Sequence, residues 1–221
     1  MREHLDLFIH LSGRVSILRA AEIGVLSYDS STLTGFIDSG VVCDLYEAVP
    51  EFCDSIEKDI AQFPNARLLR GAVSDYNGTM VLCMAGPSTF SASLESTPAI
   101  NHDGFRKDRE GVKKLEVECR DFGDLDPGDY DLVTMDIEGG EFPVLSRMRS
   151  RPRVLAIETQ SRDYVNPQLG AITDWLVREG YRVWFRNDTD TVFVRGERPK
   201  LGLAKDIKAW WHNQRYFAGR L

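Results

Sequence analysis

The stretch Tyr130–Leu145, YDLVTMDIEGGEFPVL, constrains this chain more than any other. Its apolar run, Leu132-Val133-Thr134-Met135, stops abruptly at Asp136. Two more carboxylates follow, Glu138 and Glu141, around the pair Gly139-Gly140, and Phe142-Pro143-Val144-Leu145 then reads as a helix. A buried strand that releases acids and glycines at its C-terminal end, and then turns into a helix, marks the edge where open α/β sheets hold ligands.

The rest of the chain supplies the other units of such a sheet. Ala20–Leu26, Val41–Glu47, Arg67–Val73, Thr79–Met84, Val112–Cys119, Tyr130–Asp136 and Val154–Glu158 read as strands. Helices are expected at 33–39, ended by Gly40, from Pro50 to about Phe63, after Gly140, and at 168–179 before Gly180. The strands Tyr181–Arg186 and Thr191–Arg195 are joined only by NDTD, and so short a connection makes them antiparallel. Alternating strands and helices with right-handed crossovers give a mostly parallel sheet with helices on both faces. Residues 85–112 are the least regular part, rich in Ser, Thr, Pro and Gly. A connection of that length is expected to serve function, here as a cover for the substrate. Ahead of the sheet, residues 1–19 form a helical lead-in with Leu5, Phe8, Ile9 and Leu11 on one face. Residues 196–221 form a basic, aromatic tail.

Bulk properties narrow the function classes. Apolar residues at 43% suffice for a core in one domain of 221 residues, and a net charge of −7 argues against nucleic acid as a partner. No apolar stretch is long enough to span a bilayer, and the charged N-terminus has no signal-peptide core. Cys43, Cys53, Cys83 and Cys119 lack CxxC spacing, so packed thiols and a cytoplasmic location are expected. The four histidines, His4, His10, His102 and His212, form no zinc-ligand pattern.

A nucleoside cofactor on this kind of sheet needs a close-approach turn after the first strand and an acid at the tip of the second. Glu22-Ile23-Gly24 supplies the turn, and Glu47 supplies the acid 23 residues after Gly24. Nicotinamide dinucleotides share the second requirement, but the first loop reads GVLSYDSST rather than GxGxxG. A pyrophosphate needs those glycines, whereas S-adenosylmethionine carries no phosphate. Methyl transfer is therefore favoured, with an NAD-type oxidoreductase as the weaker alternative.

The chain resembles the FkbM family of methyltransferases. The resemblance runs through YEAVPEF around Glu47, SDYNG at 74–78, STFSASL, MDIEGGEFPVL, IETQ at 157–160 and Asn166-Pro167, and covers roughly residues 20–195. It implies a Rossmann-like class I methyltransferase fold, with a mostly parallel seven-stranded sheet and an antiparallel C-terminal hairpin strand. It also implies S-adenosylmethionine as cofactor and O-methylation of a hydroxyl on a sugar, glycan or glycosylated metabolite. Carried over residue by residue, Glu22, Gly24 and Glu47 would meet the methionine and ribose portions, Asp75 the adenine, and Asp136 the methyl-transfer end.

Removing a proton from a hydroxyl suits a carboxylate acting as general base, or a divalent ion such as Mg²⁺ that lowers the hydroxyl's pKa. Asp136 is the leading candidate, with Glu138 as helper and Glu141 as a helix-terminal charge. Asp136 and Glu158, with Glu138 or Asp163, are candidate metal ligands, and His102 in the Ser-rich loop is a candidate base. The tail interleaves Trp210, Trp211, Tyr216 and Phe217 with basic residues, as expected for a helix that packs on its own domain or on a second subunit, or that rests on an anionic membrane surface. A methyltransferase-like scaffold without turnover is the remaining alternative.

Overall fold

The fold is set by which strands are buried on both faces, and the computed structural model describes residues 7–101, 105–106, 112–159, 164–186 and 190–200. The first half runs α1 (Leu7–Leu11), β1 (Arg19–Ile23), α2 (Thr34–Asp38), β2 (Val42–Glu47), α3 (Pro50–Ile60), β3 (Ala66–Arg70), β4 (Ala72–Ser74) and β5 (Gly78–Cys83). After a 3-10 turn at Gly86–Ser88 come β6 (Phe90–Ser91), α4 (Pro98–Asn101), β7 (Lys114–Asp121), α5 (Phe122–Leu125) and β8 (Leu132–Met135). The second half closes with α6 (Glu141–Arg147), β9 (Val154–Glu158), α7 (Leu169–Arg178), β10 (Tyr181–Arg186) and β11 (Asp190–Arg195).

Seven strands form one sheet in the order β10-β11-β9-β8-β1-β2-β3. All neighbours from β9 to β3 are parallel, while β11 runs antiparallel to both β9 and β10. This matches the expected sheet and its hairpin finish. Side chains alternate between two apolar layers, as the pleat requires. On β8, Leu132 joins the layer beneath α1, α2 and α3, and Val133 and Met135 join the layer beneath α6 and α7. On β9, Val154 and Ala156 face the first layer and Leu155 and Ile157 the second. Double-sided burial is why these strands read as apolar runs with no polar face.

Asp44, fully buried on β2, is held by Arg67 at 2.5 Å and Arg19 at 3.0 Å, and accepts the Tyr130 hydroxyl at 2.6 Å. This network ties β1 and β3 to β2, and reaches the residue two places before β8.

Three expectations are corrected. The strand read at 67–73 is two strands in different sheets. Gly71, at φ +110°, turns the chain out of the large sheet, and β4 joins a second sheet in the order β4-β7-β5-β6. The irregular segment 85–112 contains β6, paired with β5, and α4, so part of it is anchored structure. In the lead-in, Leu7 and Leu11 make the buried pair at i, i+4 spacing and Phe8 meets Phe36 edge-on at 5.2 Å, while Ile9 is 66% exposed. Leu5 and the tail from 201 onward lie outside the described residues. Among the described residues no helix is long and apolar enough to cross a membrane.

A Cβ on Gly71 would sit 3.0 Å from the Glu118 carbonyl oxygen, on a backbone that L-residues avoid. Gly71→Ala should therefore lower stability by about 2 kcal/mol in urea unfolding, whereas alanine at Gly170, which meets nothing, should not.

Candidate functional site

The strand order reverses between β1 and β8, and the C-terminal ends of these two strands nearly touch. Gly24 donates its N–H to Tyr46 O at 3.0 Å, and Asp136 donates its N–H to Ile23 O at 3.0 Å. At φ +87°, a Cβ on Gly24 would lie 2.1 Å from the Asp136 carbonyl oxygen, so only glycine fits. Above this junction opens a cavity of about 550 Å³, within the usual range for a small-molecule site. The large sheet supplies one wall through Gly24, Glu47 and Asp136, and the small sheet supplies another through Met80, Leu82 and Ser91.

Glu47 stands at the tip of β2, where the sequence places it. Its Oε2 accepts the N–H groups of Val25 at 3.2 Å and Leu26 at 3.1 Å, and its Oε1 accepts those of Ala48 and Val49, both at 2.8 Å. The carboxylate thus pins the loop after β1, where Leu26 adopts a left-handed φ of 61°. Glu22 also lines the cavity, but its oxygens hold the next part of that loop: the Ser31 hydroxyl, and the Thr32 N–H and hydroxyl, each at 2.9 Å. Burial raises the Glu22 pKa above the ordinary carboxylate value. Sequence placed Glu22 among the cofactor contacts; here it positions the loop that faces the cavity. Asp75 lines the cavity just past β4 and accepts the Ser74 hydroxyl at 3.3 Å.

The DIEGGE turn is held from below. Glu141, fully buried, accepts the N–H groups of Ile137 at 3.1 Å and Gly139 at 3.2 Å through Oε1, and the Asn166 amide at 2.5 Å through Oε2. Asn166 in turn donates its N–H to Thr159 O at 3.0 Å and accepts the Gln168 N–H at 2.9 Å. Glu141 is therefore more than a helix-terminal charge. It clamps the turn to the β9–α7 connection, and burial raises its pKa. Held this way, Asp136 is exposed at the strand tip, while Glu138 is buried in a left-handed conformation at φ 59°. Strained backbone of this kind tends to sit at working sites.

Register places three acids side by side. Met135 pairs with Ile157, so Asp136 and Glu158 end neighbouring strands, and Glu158 pairs with Asp190 on β11. Burial, and then the charges of Asp136, Glu138, Glu141 and Asp190, push the Glu158 carboxyl well above the usual range. Tyr164 is buried with its hydroxyl 3.1 Å from where a Gly139 Cβ would stand, and burial, followed by the charges of Glu141, Glu158, Glu138 and Asp136, raises its pKa. Among the described residues no three His, Cys, Asp or Glu side chains gather so as to hold a metal ion. Asp136 and Glu158 thus find no third described ligand for Mg²⁺, and no step here is assigned to a metal. Asp163 and His102 lie outside the described residues.

The sequence assigned no individual role to Asn166, Tyr164, Gln168 or Asp190, while the segment that holds the Ser88–Leu94 wall was expected as a cover for the substrate. For Asn166 the signal existed, in the Asn166-Pro167 pair; for the others the contact depends on long-range pairing.

The methyltransferase FkbM domain matches residues 20–183. The chain belongs to the FkbM methyltransferase family. It is an S-adenosylmethionine-dependent methyltransferase with the Rossmann-like class I fold, which sets aside the nicotinamide reading. A search of curated protein sequences finds no match. Among solved structures, the FkbM chain is similar to precorrin-6y C5,15-methyltransferase from Geobacter metallireducens, at 12% identity over 80% of each chain with a TM-score of 0.43. A TehB-like methyltransferase from Corynebacterium glutamicum matches at 12% identity over 86% and 85% of the two chains, TM-score 0.44. The glycopeptide N-methyltransferase MtfA, solved with S-adenosylmethionine, matches at 11% identity over 86% and 85%, TM-score 0.43.

The residues present fit the family's cofactor. Gly24 meets the requirement for close backbone approach, Glu47 uses its oxygens on four backbone N–H groups to hold the loop after β1 at the cavity rim, and Phe52, Met80 and Leu82 give an apolar wall suited to a purine.

Two outcomes are expected. Gly24→Ala drives a side chain into the Asp136 carbonyl and should weaken adenosylhomocysteine binding more than tenfold by calorimetry. Because the folded-state pKa of Glu158 is raised, the folded protein holds that proton more tightly than the unfolded chain. This contribution is intact below the unfolded carboxylate pKa and is lost as pH rises through the folded one. Glu158→Gln, which cannot ionise, should therefore gain in melting temperature relative to wild type between about pH 5 and about pH 9.

Proposed function

We propose that this enzyme methylates a hydroxyl of a sugar, glycan or glycosylated metabolite. The observation that carries the reading is the placement of Asp136. It is an exposed carboxylate at the switch point, on the same cavity as the hydroxyl-bearing wall of Ser88, Thr89, Ser91 and Ser93. The cofactor supplies an electrophilic methyl group on a sulfonium. The chain's own residues must align a nucleophilic oxygen and take its proton. Asp136 is placed to accept that proton, and the Glu141 clamp keeps its strand tip in position. The Ser and Thr hydroxyls, as donors and acceptors, suit the similar groups of a sugar. Phe90, buried at the base of that wall and 5.5 Å from Phe105, gives the segment a fixed foundation.

The four buried cysteines suit a reducing compartment, and the cytoplasm is the location we propose. The acidic cavity supports a small-molecule or carbohydrate acceptor rather than nucleic acid. The basic, aromatic tail supports a contact with a second subunit, or with an anionic membrane surface in its place.

Calorimetry with S-adenosylmethionine, adenosylhomocysteine and NAD tests the first step, and binding of NAD alone would sink the reading. Asp136→Asn should lower kcat by about 10²–10⁴-fold while leaving adenosylhomocysteine affinity within a few fold. An unchanged kcat would remove Asp136 from the role of base.

A further inference from the structure

Gln168 lines the cavity, yet its Oε1 is buried with no hydrogen-bond partner among the described residues. A buried amide oxygen without a donor is costly, and for that reason such atoms are rare.

The backbone that carries this side chain is fixed on both sides. The Gln168 N–H donates to Asn166 Oδ1 at 2.9 Å, and the Gln168 carbonyl accepts the Ile172 N–H at 2.9 Å. Asn166 donates to Glu141 Oε2, and the other oxygen of Glu141 holds the N–H groups of Ile137 and Gly139. Gln168 and the turn that follows Asp136 therefore share one frame. Only the side chain is left to move, and the terminal torsion of glutamine is soft. A turn of the carboxamide presents it to the cavity, and Oε1 gives up no hydrogen bond in doing so.

Position decides which molecule it meets. The cofactor fits against Gly24 and the tips of β1 and β2, with Asp136 on β8 at the methyl-transfer end. In the sheet order β9 lies beyond β8, on the side away from β1. The Asn166 N–H, bonded to Thr159 O at 3.0 Å, brings the chain back beside the end of β9, and Ala156 and Gln168 line the cavity there. Gln168 thus stands past Asp136, on the acceptor's side.

The reaction restricts what can donate to Oε1. The acceptor oxygen takes the methyl group, the carbon–sulfur electron pair returns to sulfur to leave the thioether, and the hydroxyl proton passes to Asp136. That hydroxyl has no second proton to give. A carboxamide accepts through Oε1 and donates through Nε2, which matches a pair of adjacent hydroxyl groups.

We propose that Gln168 binds the acceptor, taking a hydrogen bond from a hydroxyl next to the one that is methylated. The acceptor is then a vicinal diol, as on a sugar ring, and Gln168 sets which of its hydroxyls meets Asp136. The inference rests on the methyl-transfer reading of the same cavity.

The test is a methylation assay on the full chain with S-adenosylmethionine. The probes are methyl glycosides of common hexoses and 6-deoxyhexoses, each beside analogues lacking one hydroxyl vicinal to the methylated position, which mass spectrometry locates. For the wild type, loss of the bound hydroxyl should lower kcat/KM by about tenfold or more. Gln168→Met, of similar length and without the amide, should show that loss already with the parent glycoside, chiefly through KM, and should no longer discriminate the deoxy analogue. Adenosylhomocysteine affinity and melting temperature should change little, which a purely structural role for Gln168 would not allow. Equal turnover of every vicinal deoxy analogue by the wild type, or undiminished discrimination by Gln168→Met, would overturn the proposal. So would adenosylhomocysteine binding without methylation of any glycoside, and in each of these cases methyl transfer itself stands. If adenosylhomocysteine does not bind the wild type, the methyl-transfer reading falls as well.

Discussion

The contact between the ends of β1 and β8 sets the geometry of everything above it. With Gly24 at φ +87° and no side chain, the β1 turn lies directly against the Asp136 carbonyl. Any Cβ would push the two strand ends apart at the point where the sheet order reverses. That single close approach brings the loop pinned by Glu47 and the turn clamped by Glu141 to the rim of one cavity. Neither device uses the site's chemistry; both are carboxylates that collect backbone N–H groups left over where a strand gives way to a helix.

The two halves of the rim are built alike. Two residues beyond Gly24, Leu26 is left-handed, and two residues beyond Asp136, Glu138 is left-handed. Each strained residue has a buried acid beneath its loop, Glu47 in one case and Glu141 in the other. The hydrogen bonds these acids collect offset the backbone strain, which is how such conformations persist in a stable domain. The same acids fix where the exposed groups point.

What the sequence made legible follows from the range of the forces involved. The β8 strand, the diglycine turn and the acid at the tip of β2 are local signals, carried by apolar runs, glycines and spacing, and they appear where expected. Val154–Glu158 and Tyr181–Arg186 match to the residue, because in the sequence each apolar stretch is flanked closely by polar and charged residues. The break at Gly71 was hidden, since an apolar run reads the same whether it stays in one sheet or crosses to another. The partnership of Glu158 with Asp190 was equally hidden, because it depends on where β11 inserts. Even Asn166, visible in its motif, gained a role only when Glu141 was seen 2.5 Å away.

The kink at Gly71 has an evolutionary reading. It hands the two halves of the cavity to separate sheets: one bears Gly24, Glu47 and Asp136, the other bears Met80, Leu82 and Ser91. Substitutions in the small sheet can reshape that wall, its Met80–Leu82 face and its Ser91 face alike, without disturbing the strand junction. The domain is in effect a fixed engine with an interchangeable faceplate, and the glycine is the bolt between them.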